Sequence, residues 1–225
     1  MTTTKTKTDA DQEDPCSEVR RRGRPQARCD EETRGIIFEA ARHEFVASGY
    51  AATSMDGVAR HAGISTKTLY RLIPNKAALF EAMIGERIDR FASVVRLRAC
   101  DGKNIEGALR DALVACGELI LDNDVIALQR VILGDSEKFP EIAETFYHKA
   151  IRRTERTLAA WLQAQNECGL ISIDDAETTA GMLLGMLAFQ PQRAVMFAHA
   201  PTPSREALER RAQAVSELFL RGCGR

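Results

Sequence analysis

Apolar side chains recur along this chain at three- and four-residue intervals while strict two-residue alternation is missing, so the pattern predicts helices and no sheet. A first helix is predicted from Asp30, a residue suited to an N-cap, with Glu31 and Glu32 in the opening turn where the helix dipole favours negative charge. Its apolar stripe runs through Ile37 or Phe38, then Ala41 and Phe45, and Gly49 ends it. Thr53 followed by Asp56 resembles a capping box, which predicts a second helix from Ser54 to about Ala62, stopped by Gly63. Ser65 can cap a third, ending near Leu72 ahead of Pro74, and Asn75 a fourth, striped by Leu79, Met83, Ile88, Phe91 and Val95. Further amphipathic helices are predicted over 105–121, 124–133, 140–168, 174–189 and 204–220. Asp174 with Glu177 should cap the fourth of these, and Pro191 should end or kink it.

The pair flanking Gly63 is too short to hold itself up, because isolated helices of this length are marginal in water. A helix-turn-helix unit gives such a pair a purpose: the first helix props a second that enters the major groove of DNA. That geometry needs a small residue at the crossing, a turn residue tolerant of unusual dihedrals and an apolar pin beneath the second helix. Ala59, Gly63 and Leu69 supply these in order. The positions left outside are Ser65, Thr66, Lys67, Thr68, Tyr70 and Arg71, all able to hydrogen-bond to bases or phosphates.

Charge sharpens this reading. The 225 residues carry a formal net charge of -1, but residues 20–76 hold eleven Lys/Arg against six Asp/Glu, so positive charge gathers at one end. Residues 1–19 lack apolar periodicity and are expected to be disordered. In the following "RRRGRPQAR", Gly23 and Pro25 oppose a helix, and Arg22 and Arg24 belong to an RGRP core that resembles an AT-hook. It is read as an arm for the minor groove, or else as a solvated basic tail. The chain thus divides into a tail with a basic arm (1–29), a helix-turn-helix DNA-binding domain (30–76) and a helical regulatory and dimerisation domain (77–225).

The stretch "IFEAARHEFVASGYAATSMDGVARHAGISTKTLYRLIPNKAALFEAMI" resembles the N-terminal domain of the TetR (tetracycline repressor) family of bacterial transcriptional regulators, through Ala40-Ala41 before Phe45, Gly49-Tyr50 and "AGIS-TKTLY" followed by "NK" and "LF". The resemblance implies an all-α fold: a three-helix DNA-binding domain and a helical C-terminal domain that dimerises and often holds a small-molecule pocket. Thr53, Ser54, Tyr70 and Lys76 match the family's phosphate contacts, and Thr66, Lys67 and Thr68 its base readers. The sequence departs from the family at Lys67, Leu72 and Ile73, where a small residue, His or Tyr, and Phe are common, so operator preference does not carry over. "VILGDSEKFPEIAETFYHKAIRRTERTLAAWL" and "GMLLGML" resemble one subgroup more loosely.

Gly181, Gly185 and Ala188 share a helix face suited to close packing or a subunit interface, and the resemblance assigns this helix and the last one, with Leu218, to a dimeric four-helix bundle. A two-fold dimer also suits DNA reading, since paired recognition helices span half-sites about 34 Å apart. Leu128, Phe146, Trp161, Met182, Met186 and Phe189 are candidate walls for a small apolar ligand, with plain core as the alternative. His43, His61, His148 and His199 show no metal-ligand spacing, so no metal or other cofactor is expected. The six cysteines are scattered, as in a reducing compartment, with Cys100 or Cys116 a weak option for a redox switch. No nucleophile motif, phosphate loop or dinucleotide fingerprint appears, which argues against an enzyme, and no apolar run is long enough to span a bilayer. The expectation is a cytoplasmic, homodimeric, ligand-responsive repressor that binds a double-stranded DNA operator. A constitutive or architectural DNA-binding protein is the alternative.

Overall fold

A computed structural model describes residues 29–97 and 104–223. The expected disordered tail and basic arm, with Arg22 and Arg24, lie outside the described residues, as do Cys100 and the side chain of Val95. Among the described residues there is no strand, and no helix is long and apolar enough to cross a membrane.

The first helix, α1 (Asp30–Ala52), is capped one residue before Asp30, the expected cap. Cys29 takes that position: its Sγ accepts the Glu32 N–H at 3.4 Å while its own N–H donates to Glu32 Oε2 at 3.3 Å. Gly49 breaks the helical path with φ 79°, as its position in the sequence suggested, and a short helical stretch follows it. Next, α2 (Met55–His61) is capped by Ser54, whose hydroxyl accepts the Gly57 N–H, and not by the expected Thr53–Asp56 box, because the Thr53 hydroxyl is spent on carbonyls of α1. Ser65 caps α3 (Thr66–Leu72), and Asn75 Oδ1 accepts the Ala78 N–H at 2.8 Å in the first turn of α4 (Lys76–Leu97). Ile37, Ala41, Phe45, Val58, Leu69, Leu79 and Phe80 are almost wholly buried where these helices meet. Leu72 and Ile73, two of the family departures, also point inward.

The rest is a helical body of α5 (Ile105–Ile120), α6 (Asn123–Asp135), α7 (Pro140–Phe146), α8 (Arg152–Glu167), α9 (Ala176–Met196) and α10 (Arg205–Cys223). The helix expected over 140–168 is interrupted by a π-helical turn, Tyr147–Ile151, that joins α7 to α8. Two apolar clusters fill the molecule. One runs without a break from α1 to α4 into Leu128, Ile132, Ile142 and Phe146 of the body. The other joins α5, α8, α9 and α10. Gly117 lets α5 and α10 cross closely, since a Cβ there would stand 2.4 Å from Leu208 Cδ1.

Asp175, not Asp174, caps α9, and the helix passes Pro191 and continues to Met196. A proline here leaves the Leu187 carbonyl without its helical N–H. Arg211 of α10 supplies the missing donor, with Nε 2.6 Å from Leu187 O and Nη2 2.8 Å from Met186 O. At the helix end, Arg130 of α6 donates to the carbonyls of Val195 and Met196. Arg211 therefore gives the Leu187 carbonyl the donor that Pro191 withholds, and Arg130 adds donors at the end of α9. Buried Cys116 is no redox switch, because desolvation pushes its thiol up to about 12 and suppresses the reactive thiolate.

Arg211→Met should cost about 1–3 kcal/mol of stability by orphaning the Leu187 carbonyl. The loss should shrink in a Pro191→Ala background, where the restored N–H serves Leu187, and a double-mutant cycle of urea midpoints measures the difference.

Candidate DNA interface and regulatory cavity

The turn between α2 and α3 is closed by backbone bonds: Gly63 N donates to Arg60 O at 3.2 Å and Ile64 N to Ala59 O at 3.0 Å. Gly63 sits at φ 64°, a left-handed conformation that side chains disfavour. Leu69, fully buried, pins α3 from below and leaves Lys67, Tyr70 and Arg71 on the opposite, exposed side. Half-buried Thr66 and Thr68 flank them. Ser65 is exposed but already occupied, its hydroxyl accepting the Thr68 N–H at 3.1 Å and lying 2.8 Å from Thr68 Oγ1. Ser54 is exposed at the start of α2.

Arg71 forms a two-pronged ion pair with Asp30 at 2.7 and 2.8 Å, tying the end of α3 to the start of α1. The Arg71 hydrogen bonds hold the Asp30 carboxyl below the usual carboxylate range. The pair is exposed, so it adds little stability and a phosphate can compete for the guanidinium.

Two of the expected phosphate contacts are engaged inside the protein. Thr53 is buried, and its hydroxyl donates within the α1–α2 connection, 2.7 Å from Gly49 O and 3.1 Å from Glu44 O. The Lys76 ammonium donates to Tyr50 O at 2.7 Å, Thr53 O at 3.0 Å and Ala51 O at 3.3 Å, and lies 4.5 Å from the Tyr50 ring centre. Burial lowers its pKa. Across the same connection, Asp135 of α6 accepts the Tyr50 N–H at 2.9 Å. Tyr50 packs on Phe45, Phe80 and the body residue Phe139, with ring centres 5.3–5.6 Å away. The head is therefore strapped to the body by residues 85 positions apart, a link that no sequence spacing announces.

The body and α1 together enclose a cavity of about 330 Å³ bounded by α1, α4, α5, α6, the π turn, α8 and α9. Leu128, Phe146 and Phe189 line it, as expected, along with Phe38, Ile84 and Leu184. Trp161 instead packs in the α5–α8–α9–α10 cluster. Met182 and Met186 do not reach the cavity either, because they face outward, 64% and 37% exposed. Gly181, Gly185 and Ala188, expected at a subunit interface, are cavity wall, and Gly181 and Gly185 have open space where a Cβ would stand. The rim charges are neutralised: Arg87 pairs with Asp122 at 2.7 Å, Arg42 with Asp124 at 3.0 Å and Glu155 with Arg152 at 2.7 Å. Outside, α9 and α10 expose Met182 and Leu218, and Phe189 stands at the open mouth of the cavity.

A helix-turn-helix with a cationic outer face, strapped to a helical body with its own cavity, defines a DNA-binding transcriptional regulator. The sequence pattern of bacterial regulatory proteins of the tetR family matches residues 37–83, and that of the C-terminal domain of AefR-like transcriptional repressors matches residues 107–224. The chain belongs to the TetR family of bacterial transcriptional regulators. It is 32% identical over 153 residues to the HTH-type transcriptional repressor ComR of Escherichia coli K12, covering 65% of this chain and 70% of ComR. To the HTH-type transcriptional activator FasR of Mycolicibacterium smegmatis it is 31% identical over 113 residues, half of each protein (50% and 51%). Among solved structures, a TetR-family regulator from Mesorhizobium loti MAFF303099 superposes with a TM-score of 0.74 at 28% identity, over 87% of this chain and 98% of that one. The flavonoid-responsive regulator FrrA gives 0.66 at 27%, over 86% and 98%.

Lys76→Met should lower stability by about 1–3 kcal/mol, since it leaves inward-facing carbonyls of the α1–α2 connection without donors. A reduced urea midpoint at unchanged slope would register the loss.

Proposed function

We propose that the chain is a homodimeric repressor whose DNA affinity falls when a small, neutral, largely apolar ligand occupies the cavity. The observation that carries this reading is the cavity wall itself: Phe38 and Arg42 belong to α1, so a ligand there touches the helix on which the DNA-reading head is built. A ligand favouring a different setting of α1 must lower DNA affinity by the same factor by which DNA lowers ligand affinity. The paired rim charges disfavour an ionic ligand, and the similar regulator FrrA is flavonoid-responsive, flavonoids being largely aromatic compounds. The exposed apolar side chains of α9 and α10 suit a partner subunit, and pairing gives two α3 helices for two half-sites. The match to an AefR-like repressor domain and to ComR favours repression over the activation named for FasR. On DNA, Lys67 and Tyr70 reach the duplex first, with Thr66, Thr68 and Arg71 beside them, while Ser54 meets a phosphate; Ser65 mainly shapes the helix start.

Footprinting on genomic fragments should reveal a short palindrome, and Lys67→Ala or Tyr70→Ala should each weaken binding to it by about 1–3 kcal/mol. Protection without sequence preference would refute an operator-specific role. Gly185→Leu should fill the cavity at no cost in stability, preserving the footprint while abolishing its release by whichever neutral compound releases the parent protein.

A further inference from the structure

The helical head brings together three donor side chains that the sequence keeps apart. His43 and Glu44 are neighbours on α1, and His61 is the last residue of α2. The two imidazoles face each other with centroids 4.5 Å apart, and Glu44 Oε1 lies 3.1 Å from His61 Nδ1. One donor atom from each of the three falls within 4.8 Å of the other two. Glu44 is well positioned for this. Its backbone carbonyl is fixed by the Thr53 hydroxyl at 3.1 Å, and its other carboxylate oxygen is 3.6 Å from where a Cβ on Gly57 would stand, so glycine lets it lie close along α2. The adjoining surface hollow is walled by Glu39 and Asp124, whose carboxylates both pair with Arg42.

We propose that His43, Glu44 and His61 form a binding site for a divalent transition-metal cation of the zinc class, clamping α1 to the end of α2. Two imidazoles and one carboxylate are the donor set that such ions prefer, with water completing a tetrahedron, whereas calcium and magnesium demand oxygen. Bonds of about 2.0–2.2 Å require the donors to close by roughly 1 Å, and this needs only small rotations of two rings exposed to solvent. The cation also meets the C-terminal end of α2, where the helix dipole favours positive charge. The bound ion fixes α2 just before the turn into α3 and so restrains the helix that faces DNA. None of this depends on the cavity holding a ligand.

Isothermal titration of Zn²⁺ into the full-length, chelator-stripped protein tests the site, with Co²⁺ as a second probe for its visible tetrahedral absorption. One ion should bind per chain, and His43→Ala and Glu44→Gln should each weaken binding at least about tenfold. His148→Ala and His199→Ala should leave it unchanged. His43 is exposed, and circular dichroism of each variant shows that the helices persist. Less than one ion per chain would overturn the site. So would binding that survives His43→Ala and Glu44→Gln but disappears when the cysteines are alkylated.

Discussion

Between Gly49 and Ser54 the chain turns from α1 into α2, and three carbonyls of this connection, those of Tyr50, Ala51 and Thr53, converge on one side chain. One ammonium, from Lys76 at the start of α4, donates to all three, and one carboxylate, from Asp135 at the end of α6, takes the Tyr50 N–H. Both groups stand at helix ends, so the reading head is fastened to the body at the ends of two levers. Tyr50 presses into the same place among Phe45, Phe80 and Phe139, which makes the fastening apolar as well as polar. An unpaired polar group in such a setting is costly, so the head has one preferred seat on the body and few ways of drifting from it.

The body shows the same economy. A proline in α9 would ordinarily terminate a helix, yet α9 continues past it with Arg211 serving the one carbonyl the proline leaves unpaired and Arg130 lying across the helix end. The long α9 then has two uses. One side, with Gly181, Gly185 and Ala188, is stripped of bulk and forms cavity wall, while a neighbouring side keeps Met182 and Met186 in solvent.

Local chemistry was legible in the sequence. Ser65 and Asn75 cap their helices as expected because a short oxygen-bearing side chain near free N–H groups acts within a few residues, while the cap of α2 falls on Ser54, one residue past the expected Thr53. Gly49 and Gly63 could be assigned on the same grounds. Cys29 escaped notice because a thiol is an unusual cap, and Glu32 from the next turn completes the pair. What could not be read was partnership at long range. Thr53 and Lys76 look like free polar groups in sequence and are consumed by carbonyls in the fold. Met182, Met186 and Trp161 are apolar at helical spacing, and periodicity alone does not distinguish a cavity wall from a core or an outer face. His43 and His61 approach only because α2 folds back over α1.

The π turn at Tyr147–Ile151 sets the phase of everything after it. In an uninterrupted α-helix Ile151 and Glu155 would lie far around the axis from Phe146, since each residue advances the direction by about 100°. The wider turn brings all three to the cavity's edge. This helix therefore works as a length gauge: losing or gaining a single residue there would rotate Thr154 and Glu155 away while leaving the composition of the chain almost untouched.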